Sequence, residues 1–162
     1  MSGIAMILGC ERSVQLANTD LENTDNTSFM YAEEAFQGVK PWTNENFKNN
    51  PDNFQFVIIG DRTGGANPES TFSLAMDQIN LLQPEFVINV GDMIEGYPED
   101  RADLNAMWDE ADDLLDKLEM PFFSTIGNHD VSNPETKEVW LERKGADYYH
   151  FIYKDVLFMV LN

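Results

Sequence analysis

The stretch FVIIGDRTGG, Phe56 to Gly65, runs four large apolar residues into a glycine and a carboxylate, Asp61. Two later stretches repeat that design: FVINVGDMIEG from Phe86 to Gly96, and FFSTIGNHDVS from Phe122 to Ser132. Each apolar run is short and continuous, the form of a strand buried on both faces, and the segments between them carry helical periodicity. Phe72, Ala75, Met76, Ile79 and Leu82 share one helical face, opened by Asn67 and Pro68 at N-cap and first-turn positions and closed by Pro84. Leu104, Met107, Trp108, Ala111, Leu115 and Leu118 form a second stripe. Asp109, Glu110, Asp112, Asp113 and Asp116 lie mostly off it, as a solvated helix face. The order is β-α-β-α-β, and right-handed crossovers bring the ends of three parallel strands to one sheet edge, where open α/β folds bind ligands.

That edge presents Asp61, Asp92, Asn128, His129 and Asp130, with Asp61, Asp92 and the Asn128-His129-Asp130 run each following a turn glycine. Two carboxylates, an amide oxygen and an imidazole suit a divalent cation of intermediate hardness: manganese, iron, zinc or magnesium. Two such ions about 3.5 to 4 Å apart, sharing one carboxylate, suit phosphoester hydrolysis best.

The rest of the chain sets bounds. With 162 residues, 43% of them apolar, there is enough for one domain with a real core. The formal net charge of -19 disfavours binding to nucleic-acid backbones or anionic lipid, so an anionic substrate needs a local cation. The single cysteine, Cys10, excludes an internal disulfide and a cysteine-built zinc site. GIAMILGC, Gly3 to Cys10, reads as a lipobox-like segment that would attach a lipid at Cys10, although no Lys or Arg precedes it. The alternative is a disordered start. A polar tract through Ser28 would then serve as a tether. The chain divides into residues 1–53, a signal- or lipobox-like segment with tether and lead-in, and a catalytic unit over 54–162. Export to a membrane-anchored bacterial lipoprotein is one expected location and the cytoplasm the other.

GD at the first strand end, GDMIEG at the second and GNHD at the third resemble the calcineurin-like metallophosphoesterases, GNHD being the most specific. DYYHFIYKDVLFMVLN, Asp147 to Asn162, resembles the hairpin that follows GNHD in that family. WTNENFKNNPDNFQFVIIGDRTGG resembles a bacterial branch of exported members carrying DRTGG. The resemblance implies a layered αββα sandwich, here as its first β-α-β-α-β unit plus hairpin, and a dinuclear site acting on a phosphoester substrate. By it, Asp61 binds the first metal, Asp92 bridges both and Asn128 binds the second. His129 would meet the scissile phosphate and protonate or stabilise the leaving oxygen, oriented by Asp130. Arg62 with the amides of Gly64 and Gly65 is a phosphate-binding candidate; an exposed loop arginine is the alternative.

Two departures qualify that picture. Thr63 stands where the family commonly has the histidine of GDxH, and the family's later histidine-bearing motifs have no counterpart before Asn162. His150, in the alternating run YYHFIY, reads as a hairpin side chain and not their substitute. The expectation is therefore the N-terminal half of a phosphoesterase domain, a fragmentary gene product, with a noncatalytic metal- or phosphate-binding remnant of the same fold as the alternative. A P-loop is excluded because Ala66 and Asn67 follow the second glycine of GDRTGG where Lys and Ser or Thr are required. No GxSxG elbow for serine hydrolysis is present.

Overall fold

The structure is a computed structural model that describes residues 6–8, 28–36, 38–50, 52–63 and 70–162. Cys10, Gly64, Gly65, Asn67 and Pro68 lie outside the described residues, so the readings placed on them are not addressed by it.

The three apolar runs form strands β3 (Phe56–Ile59), β4 (Phe86–Asn89) and β5 (Phe122–Phe123), paired in parallel in the order β3-β4-β5. They are apolar throughout because both faces are covered. Val87 and Phe122 point into a core shared with the helices, whereas Phe86, Ile88 and Phe123 point into a second, aromatic core. Helices α1 (Ser70–Leu82) and α2 (Arg101–Leu115) are the two crossovers. Met76 and Ile79 of α1, with Leu104, Trp108, Ala111 and Leu115 of α2, are buried as the stripes require. Leu82 is the exception at 61% exposure, because the chain turns away there through Gln83 at φ 52°.

The second layer is antiparallel. Strands β1 (Met6–Leu8), β2 (Phe29–Met30), β6 (Tyr149–Tyr153) and β7 (Val156–Val160) stack in the order β1-β7-β6-β2. β6 and β7 close through Lys154 and Asp155, both at positive φ (45° and 64°), the two-residue turn whose twist suits a hairpin. Tyr149, Phe151, Tyr153, Phe158 and Val160 cover the face of β4 and β5, and His150 lies on the exposed side of β6.

The division at residue 54 is not a packing boundary. Phe29, Trp42 and Phe47 stack in the aromatic core; Thr43 N–H donates to Phe122 O at 3.1 Å, and Ser124 N–H to Pro41 O at 2.7 Å. The lead-in thus belongs to the sandwich.

Helix α3 (Pro134–Arg143) also packs on the helical layer, through Val139 and Trp140. Its start is fixed by a capping box in which the Asn133 side chain accepts from Thr136 N–H, with Pro134 at the first helical position. Arg143 reaches Asp109 at 2.7 Å and Asp112 at 2.9 Å, and Lys144 also pairs with Asp112. The acidic run of α2, expected as a solvated face only, is in part the docking rail for the end of α3.

Candidate active site

Both strand-end aspartates follow a glycine and take left-handed backbone, Asp61 at φ 54° and Asp92 at φ 59°. Such geometry is uncommon outside glycine but tolerated by Asp and Asn, and it turns the chain sharply off the strand. The two turns are bonded together: Asp61 N–H donates to Gly91 O at 3.2 Å and Thr63 N–H to Asp92 O at 3.2 Å. The GNHD loop closes from the other side, His129 N–H donating to Asp92 Oδ1 at 3.0 Å. Close approach requires the glycine here, since a Cβ on Gly127 would lie 2.1 Å from Asp92 Oδ1. Asp92 therefore sits between the Asp61 turn and the Asn128–His129 turn.

Asp130 does something else. It is fully buried, and its carboxylate accepts four backbone N–H groups: Met93 at 2.8 Å and Ile94 at 3.1 Å on Oδ1, Asp92 at 2.8 Å and Gly127 at 2.9 Å on Oδ2. Burial pushes this carboxyl up to about 6, against the amides of Gly127, Ile94, Met93 and Asp92, which pull it down. With both oxygens committed to amides, Asp130 clamps the loop after β4 to the loop after β5. The acid beside the His129 ring is a different one.

That acid is Glu95, whose Oε2 lies 3.3 Å from His129 Nδ1. On the far side of the ring, Tyr97 Oη lies 3.3 Å from His129 Nε2. Glu95 accepts from Nδ1–H and so directs Nε2 outward. The spacing in GDMIEG carried the signal: a second carboxylate three residues after Asp92, on the same short loop.

Arg62 is also tied into the fold. Its guanidinium, with the side chain only 12% exposed, donates to Met93 O at 2.9 Å and pairs with Glu110, which ties the loop after β3 to α2. It is not a solvated loop arginine. Thr63, where a histidine ligand was expected, has its hydroxyl within 3.2 Å of Asp92 O and 3.0 Å of Ile94 O. It joins the same two loops.

A match over residues 31–159 to the family model described as calcineurin-like phosphoesterase covers the parallel sheet, the three helices and all three strand-end loops. The chain belongs to the calcineurin-like phosphoesterase family. Among curated proteins, the mouse (Mus musculus) serine/threonine-protein phosphatase CPPED1 is 32% identical over 99 residues. The match takes in 54% of this chain and 30% of that relative, so the chain spans well under half of the phosphatase it resembles. No solved structure matches.

Members of a metallophosphoesterase family use divalent metals, and the donor chemistry of this edge fits one. Asp92 has one oxygen engaged by the His129 amide and a second to offer. Among the described residues nothing hydrogen-bonds to the Asp61 carboxylate or to the Asn128 side chain, both exposed at the same edge. Exposed oxygens with no protein partner, that of Asp61 on left-handed backbone, are open to a cation. Among the described residues no group of three or more His, Cys, Asp or Glu side chains comes together as a metal-holding cluster.

Proposed function

We propose that the loops after β3, β4 and β5 form the metal-holding and leaving-group side of a dinuclear phosphoester hydrolase. Asp61 would hold the first ion, Asp92 both, and Asn128 the second. When bound, the ions supply positive charge to the phosphoryl oxygens, which a chain of net charge -19 otherwise repels. His129 acts on the leaving group as the imidazolium: Glu95 accepts from Nδ1–H, and Nε2–H passes its proton to the departing oxygen, leaving the neutral ring protonated at Nδ1. The observation that carries the reading is the link between the two functions. His129 bonds Asp92 through its backbone at 3.0 Å while its ring faces Glu95 at 3.3 Å, so the acid and the bridging ligand are fixed to each other.

The test is manganese binding by calorimetry alongside hydrolysis of p-nitrophenyl phosphate. Metal two has only Asp92 and Asn128 from these loops, so the 162-residue chain is expected to bind weakly and turn over slowly. A version extended through the family's later histidine motifs is expected to be active. Asp92→Asn keeps the left-handed turn, which Asn tolerates, and removes the charge, so metal binding and turnover should both be lost. His129→Ala should leave metal binding in place and slow turnover roughly 10²- to 10⁴-fold. Metal bound with no turnover in either length supports the noncatalytic remnant instead. The DRTGG signature and the lipobox-like segment further support an exported lipoprotein anchored through Cys10.

A further inference from the structure

Tyr97 is an exposed aromatic residue (58% exposed) standing over the outward nitrogen of His129, with ring centroids 5.0 Å apart and planes inclined at 66°. Its backbone is not free to drift. Ser132 Oγ donates to Gly96 O at 2.7 Å, and Asn133 Nδ2 lies 3.4 Å from both Tyr97 O and Pro98 O. The approach is close enough that a Cβ on Gly96 would fall 1.9 Å from His129 O. The Tyr97 Cα is thus fixed relative to the imidazole, while its side chain has solvent on most sides and can rotate at little packing cost. Its hydroxyl occupies the Nε2 partner position that a leaving oxygen must take.

We infer that Tyr97 determines leaving-group specificity: its hydroxyl is displaced from Nε2 by the substrate, and its ring then forms a wall against which a flat, aromatic leaving group packs. The inference rests on the hydrolase reading above and adds the substrate class, phosphoesters of aromatic alcohols over those of small alkyl alcohols. Offset or edge-to-face ring contact gives such a ligand a roughly threefold to tenfold advantage.

The probes are phenylphosphonate and methylphosphonate, which cannot be hydrolysed, titrated into the full chain with magnesium while the imidazole nitrogens are followed by NMR. The chain has two histidines, so His129 and His150 are readily told apart. Phenylphosphonate should bind threefold to tenfold more tightly than methylphosphonate. Tyr97→Phe should keep that preference and shift the His129 Nε2 resonance, whereas Tyr97→Ala should bring the two affinities together. Tyr97 is exposed, so both variants are expected to fold. Equal affinities in the parent, or a preference unchanged in Tyr97→Ala, overturn the assignment while leaving the hydrolase reading intact. Failure of both phosphonates to bind overturns that reading and the assignment with it.

Discussion

Asp61 and Asp92 each carry backbone strain of roughly 1–2 kcal/mol for a side chain in left-handed geometry, and that strain sits where the carboxylates project from the sheet edge. Asp130 is the counterweight at Asp92, because four amides on one buried carboxylate hold that turn to the loop after β5. Replacing it by Asn leaves one oxygen to accept and an NH₂ group facing two N–H donors. Asp130→Asn should therefore lower stability by about 3 kcal/mol, the scale of a lost charge-assisted bond with donors left unpaired. Urea unfolding measures it, and a loss below about 1 kcal/mol would mean that the clamp is dispensable. The positions of Asp61, Asp92, Asn128 and His129 were legible in sequence because each follows a strand and a glycine. The partners of Asp130 and His129 were not, since the two carboxylates are close in kind and only packing shows which is buried against amides and which stands beside the imidazole.

At the scale of elements, β4 enters the sheet through Glu85, which is buried and accepts the N–H groups of Lys48 at 2.8 Å and of Asn49 and Asn50 at 3.1 Å each. Burial raises this carboxyl, but the amides of Asn50, Asn49 and Lys48 and the Tyr153 hydroxyl outweigh it and leave the pKa below the ordinary 4.5. A folded-state pKa below the unfolded one means stability that is full above pH 4.5 and is lost as pH falls through the lower folded value. Glu85→Gln should flatten the acid limb of a stability–pH curve while costing stability at pH 7; an acid limb identical to the parent's would show that the titration lies elsewhere. The strands and first two helices were legible because burial on both faces and a 3.6-residue stripe each leave a plain pattern. α3 carried an equally plain start signal in Asn133-Pro134 but has only a weak stripe, since it buries little beyond Thr136, Val139 and Trp140. The aromatic lead-in was unreadable for another reason: Phe29, Trp42 and Phe47 have no period and gain meaning only from the second sheet.

For the whole molecule, the proposed lipid anchor at Cys10 and the pairing of β1 exclude each other. Met6–Leu8 pairs with Leu157–Met159 of β7 and covers part of that edge, whereas cleavage at a lipobox would remove every residue before Cys10 and take β1 with it. An uncovered strand edge presents unpaired amides to water. Expression in a bacterium should therefore place the protein in the membrane fraction, with a mature chain beginning at Cys10, if export and anchoring occur. In that form, outward-facing amides within Leu157–Met159 should exchange with deuterium faster than in the full-length chain, while those bonding β6 stay protected. Cys10→Ala should retain its leading segment, remain paired at β7 and lose lipid attachment. Identical fractionation of Cys10→Ala and the parent, with equal protection at Leu157–Met159, would count against the anchor and leave β1 as a permanent strand of the second sheet.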